Sequence, residues 1–179
     1  MGLADQLADQ LADLAQSLVD EWPNFFQKKG AGAGDRDTNA FMKELRARAK
    51  VALGSDFGEG RICGDNKLAP DYYFPDEATI VEIAMGLRNP SSEFERDILK
   101  AIMAQEAGNQ VRRLLFLSKP GAVARCSQPG LRAFADWALR AHNIVVEVRE
   151  FTPAVEAVLE PAAEPLQAEP DAAADGGGT

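Results

Sequence analysis

The segment Arg112–Ser118, RRLLFLS, constrains this chain more than any other part of it. Four large apolar residues in a row leave no face for water, so the segment reads as a strand buried on both sides. Lys119-Pro120-Gly121 ends it. A strand covered on both faces needs helices above and below, and the flanking sequence supplies the helical period. Residues 91–107 carry Phe94, Ile98 and Ile102 at four-residue spacing, with Ser91 or Ser92 as cap after Pro90. Residues 129–142 start at Pro129 and turn Leu131, Phe134, Ala138 and Leu139 inward. Residues 144–149, IVVEVR, read as a last strand. The two strands around one helix predict a parallel βαβ unit.

Upstream, residues 39–53 predict a helix with Phe41, Leu45, Ala49 and Ala52 on one face and Gly54 as its stop. Strand-like segments follow at 60–64, 70–75 and 78–85. The expected order is helix, three-stranded β-meander, helix, strand, helix, strand, which is an α/β class. Ahead of it, residues 1–27 hold an amphipathic helix over 3–21. Leu3, Leu7, Leu11, Leu14 and Leu18 form its stripe. That stripe can lie against the domain, or it can form a dimer seam, since the spacing also fits heptads. Residues 28–37, KKGAGAGDRD, read as a flexible linker. The core domain spans 38–152. The Pro/Ala-rich acidic tail, 153–179, is too poor in large apolar residues to fold.

Charge is unevenly placed. The net charge of -9 would count against a nucleic-acid partner if it were uniform. Residues 1–22 hold five acids and no base, and residues 153–179 hold six acids and no base. Setting those aside leaves 17 acids against all 19 bases, about +2 for the middle of the chain. Only the local field at a site can then decide. No apolar run approaches the roughly 20 residues of a membrane span, and no signal peptide is expected. Cys63 and Cys126 stand apart without metal-ligand spacing, so a reducing, cytoplasmic setting is expected. A single histidine, His142, excludes a multi-histidine centre within one chain.

Chemistry concentrates in residues 70–84, PDYYFPDEATIVEIA. Tyr72-Tyr73-Phe74 and Thr79–Ile83 are strand-like around a Pro75-Asp76-Glu77 turn. Folding back at that turn brings Asp71 and Glu82 to one end of the hairpin. Two carboxylates that close repel unless a cation sits between them. Hard oxygen ligands suit Mg²⁺ or Mn²⁺.

Pro70-Asp71, ten residues, then Glu82-Ile83-Ala84 resembles the signature of the PD-(D/E)XK, restriction-endonuclease-like nuclease superfamily. The element order over about 38–152 resembles that family's core, with an added N-terminal helix. The resemblance implies a Mg²⁺-dependent endonuclease, a hydrolase of DNA phosphodiester bonds. It implies that Asp71 and Glu82 are the metal-binding acids and that Glu44 joins the metal site as an acid from the preceding helix. The chain departs from the signature at Ala84, where the family has its lysine. Some members draw the functional side chain from the following helix, which here points to Lys100, with Lys67 second.

Plainer readings stand beside these. Asp71 can simply end a strand, Glu82 can pair with Arg88, Lys100 can be solvated, and Glu44 can be a surface acid among Lys43, Arg46 and Arg48. The bases on that helix can touch a phosphate backbone or only water. The rival class is a non-catalytic nuclease-fold binding or assembly module, dimerising through the N-terminal helix. A further rival is an acidic-tailed protein that binds a basic partner through residues 153–179.

Overall fold

The structure is a computed structural model that describes residues 7–22, 33–58, 60–66, 68–87 and 93–153, the side chains of 33–35 excepted. The expected tail, and the part of the expected linker before residue 33, lie outside the described residues. So do Lys67 and Arg88.

A four-stranded mixed sheet organises the chain, in the order β1 (Tyr72–Phe74), β2 (Thr79–Ile83), β3 (Arg113–Ser118), β4 (Val145–Glu150). β1 and β2 are antiparallel, joined by a 3-10 turn at Pro75–Glu77. β2, β3 and β4 run parallel. Parallel neighbours need crossovers, and helices provide them. α3 (Glu93–Glu106) links β2 to β3. α4 (Ala122–Cys126) and α5 (Pro129–His142) link β3 to β4. This is the α/β architecture that the buried run at 112–118 demands.

Strand alternation sorts the side chains into two cores. Val81, Ile83, Leu115 and Leu117 face α1 (Leu7–Glu21) and α2 (Ala33–Ala52). Ile80, Ala84, Leu114 and Phe116 face α3 and α5. α1 lies on the first face. Ala8, Leu11, Ala15 and Leu18 are fully buried there, beside Phe41 and Leu45 of α2. Leu11 and Leu18 of the expected stripe are therefore covered by this chain's own sheet, Leu7 and Leu14 are partly buried against the same core, and Leu3 lies outside the described residues. Glu77, in the hairpin turn, accepts from the free amides of Leu7 and Ala8 at 2.6 and 3.2 Å. That contact satisfies the exposed start of α1 and sets a negative charge on its positive end.

Three expectations need correction. The meander has two strands, not three. Residues 60–64 are irregular, and the only pairing outside the named strands is one bridge, Gly58 to Tyr72, among the described residues. Gly58, Gly60 and Gly64 interrupt this stretch, and glycine weakens a strand. Its apolar residues still pack as a loop, with Ile62 and Cys63 against the α3 core and the Ile62 carbonyl held by Asn109 at 2.8 Å. Second, α2 begins at Ala33, so residues 33–37 of the expected linker are helical. Third, Phe134 and Leu139 of α5 are not inward. They are 42 and 48% exposed, and within α5 only Ala138 is buried. Among the described residues no helix is long and apolar enough to cross a membrane. Both cysteines are free, buried thiols.

Candidate active site

Strand register explains how the site forms. Tyr72 pairs with Val81 and Tyr73 with Ile80. One step further along the same ladder sets Asp71 opposite Glu82. Residues 80, 82 and 84 share the α3 face, so Glu82 points under that helix. The two acids also tie the strand ends together through backbone amides. The Asp71 amide donates to Glu82 Oε2 at 3.3 Å, and the Ile83 amide donates to Asp71 Oδ2 at 2.8 Å. The hairpin expectation thus brings Asp71 and Glu82 together. Asp71 also does the plainer job of holding the strand end.

Lys100 comes to this pair from α3. Its ammonium donates to Glu82 Oε1 at 3.1 Å and lies 2.9 Å from Asp97 Oδ1, one helical turn earlier. The three residues are buried, with Glu82 and Asp97 2% exposed and Lys100 9%. A solvated lysine is therefore excluded by packing. Ala84 lies on the same strand face, two residues past Glu82, and is itself buried.

Glu44 is placed elsewhere. Its Oε1 accepts from Arg48 Nε at 2.8 Å, and Arg48 also grips Glu21 with both terminal nitrogens. Two positions along a helix turn the side chain by about 200°, so α2 sends Arg46 to the site instead. Arg46 Nη2 lies 4.0 Å from Asp71 Oδ1. Sequence reasoning missed both Asp97 and this placement of Arg46. The signal for Asp97 was present: an acid on the inward stripe with Phe94, Ile98 and Ala101, where a polar residue needs a partner.

The electrostatics follow from burial. Burial pushes the Glu82 carboxyl well above its usual range, helped by repulsion from Asp97 and Asp71 and opposed by Lys100. Burial also raises Asp71, against the pull of the Ile83 amide and Lys100. For Lys100, burial alone would lower the value, but Glu82 and Asp97 outweigh it and hold the ammonium above its usual range. Glu82 and Asp97 thus share one buried ammonium, with the Asp71 carboxyl beside them and Arg46 at its edge, a concentration of acid that a further cation would relieve.

A pH test follows. Glu82 has a folded-state pKa above its unfolded one. Its contribution to stability is complete below the ordinary carboxylate range and is lost as pH rises through the raised value. In chelator, the wild type is expected to lose stability from about pH 5 upward toward neutrality. Glu82→Gln keeps an acceptor for Lys100 and removes the charge, so its melting temperature should vary less over that interval. Parallel wild-type and variant curves in thermal melts would contradict the assigned burial effect.

The donor chemistry fits a hard divalent ion. Asp71 and Glu82 offer carboxylate oxygens only, and Mg²⁺ commonly takes one or two carboxylates while keeping water. Among the described residues no three His, Cys, Asp or Glu side chains form a ready-made metal group, so the remaining positions would fall to water and substrate. No family model, curated protein or solved structure matches this chain.

Proposed function

We propose that this protein is a Mg²⁺- or Mn²⁺-dependent nuclease-like hydrolase of DNA phosphodiester bonds, of the PD-(D/E)XK type. The observation that carries the reading is the lysine buried beside the second acid of the hairpin, Lys100 at 3.1 Å from Glu82. The motif position for that lysine holds Ala84, and a side chain from the next helix delivers an ammonium to the same acid. When bound, the ion supplies Lewis acidity that activates water and neutralises charge on the phosphate. Asp71 and Glu82 would hold it. Lys100 would donate to the attacking water or to a phosphate oxygen as negative charge builds. Arg46, beside Asp71, is positioned to meet the substrate backbone.

A second reading has its own observation. The two hairpin acids are already partnered within the chain, since Lys100 occupies Glu82 and the Ile83 amide occupies Asp71. A nuclease fold that retains these residues only to hold α3 against the hairpin would be a binding or assembly module without turnover.

Calorimetric titration with Mn²⁺ and Mg²⁺ separates the two, run on the wild type and on Asp71→Asn/Glu82→Gln, with cleavage of varied DNA substrates beside it. The expected result is binding in the wild type that vanishes in the double variant. Cleavage should fall by about two orders of magnitude or more in Asp71→Ala, the scale on which loss of one charge-stabilising group slows a reaction. Full cleavage by Asp71→Ala would sink the proposal.

A further inference from the structure

Asp97 lies off the resemblance altogether, yet it is buried as deeply as Glu82. Its Oδ1 sits 2.9 Å from Lys100 Nζ, but off the hydrogen-bonding axis, so that buried oxygen has an ion pair and no aligned donor. Lys100 also donates to Glu82 Oε1 at 3.1 Å. The ammonium thus stands between two buried carboxylates, at contact distance from each. The two lie on different elements. Glu82 is fixed on a central strand, while Asp97 and Lys100 are one turn apart on α3. The ammonium already touches both acceptors, so Asp97 can keep it when Glu82 is drawn away, without movement of the backbone. Arg96 also approaches Asp97, Nε to Oδ1 3.5 Å, from a half-exposed position.

We propose that Asp97 is a positioning residue: it receives the Lys100 ammonium when Glu82 turns its oxygen to a divalent cation. This rests on the metal-dependent reading of the site. With Lys100 on Glu82, ammonium and cation compete for one carboxylate. With Lys100 on Asp97, Glu82 is free to ligate, and the ammonium stays beside the ion without repelling it at contact distance. Asp97 does not touch the ion or the substrate, and the positioning effect, apart from its direct repulsion of Glu82, passes through Lys100. That dependence distinguishes it from a distant negative charge, which would favour any cation whatever residue stood at position 100.

The test is a double-mutant cycle on Mn²⁺ affinity, measured by calorimetry on the full chain. It compares wild type, Asp97→Asn, Lys100→Gln and Asp97→Asn/Lys100→Gln. Asp97→Asn is expected to weaken Mn²⁺ binding about tenfold or more in the wild-type background, the range found when an outer partner of a metal site is lost. In the Lys100→Gln background the same substitution should change affinity less than about threefold. An equal loss in both backgrounds would overturn the proposal, because Asp97 would then act by charge alone. No loss in either would overturn it as well. Asp97→Ser, which removes the same acceptor carboxylate, repeats the cycle should the asparagine variant not fold. The wild-type titration keeps the two claims apart. Absence of Mn²⁺ binding there removes the metal-dependent reading and this inference together, whereas wild-type binding with an uncoupled cycle removes the inference alone.

Discussion

Replacing Lys100 by methionine should lower the unfolding free energy by about 3 kcal/mol at neutral pH, which is the low end for removing one partner of a buried ion pair. Methionine fills much of the same volume, so little of the loss comes from a cavity. The loss comes from Glu82 and Asp97, both 2% exposed, which are left without the ammonium that lies within 3.1 Å of each. Chemical denaturation of wild type and variant measures it. The expected signature is a deficit that shrinks in mild acid, where the carboxyls protonate instead of staying charged. Combining Lys100→Met with Glu82→Gln should return part of the stability, since one of the two stranded charges is then gone. A lysine in a solvated role would give a change within about 0.5 kcal/mol, and that result would remove the buried network from the account of this site.

Truncating the α1 stripe should be as damaging, for a different reason. Leu11 and Leu18 are fully buried on the sheet face formed by Val81, Ile83, Leu115 and Leu117. A core Leu→Ala change costs roughly 2–5 kcal/mol. The two leucines are seven residues apart, two helical turns, so their effects should nearly add. Leu11→Ala/Leu18→Ala is expected to lose about 6 kcal/mol, a large part of the 5–15 kcal/mol that holds a typical domain together. Denaturation midpoints and far-ultraviolet circular dichroism read this directly. The experiment also decides between the two sequence readings of the stripe. A dimer seam would show as a concentration-dependent loss of association with the monomer still folded. A helix integral to the core would show as loss of the fold at every concentration.

Much of this arrangement was legible in the residues alone. The run at Arg112–Ser118 has no polar face and could only be a strand with layers on both sides. The structure pairs it with β2 on one side and β4 on the other, in parallel. The helices at 91–107 and 129–142 appear as Glu93–Glu106 and Pro129–His142. The hairpin around Pro75-Asp76-Glu77 brought Asp71 to Glu82 because a period of two leaves no freedom once the turn is set. These are local and periodic properties, and a sequence carries them directly.

What failed depended on long-range competition. The stretch at 60–64 has strand-like residues, yet pairing at a sheet edge must outweigh the backbone entropy of three nearby glycines, and only one bridge forms. Glu44 has the right residue type on the right helix. Its direction, however, was decided by the rotation of α2 and by an Arg48 that also reaches Glu21 from α1. Phe134 and Leu139 fit an apolar stripe, but α5 packs through the smaller Ala138 and leaves both rings and branches half in water.

The sequence by itself determined which residues could be strands, which helices could cover them, and that two acids meet at the hairpin end, because spacing along one chain settles each of these. Only the tertiary structure decided that Lys100, one of the lysines the sequence offered, reaches that pair, and which third acid joins it. Lys100 and Asp97 lie 18 and 15 positions beyond Glu82, and their arrival depends on how α3 lies over the sheet. That placement follows from packing of Phe94, Ile98 and Ala101 against Ile80, Leu114 and Phe116, contacts between residues that no short-range pattern connects.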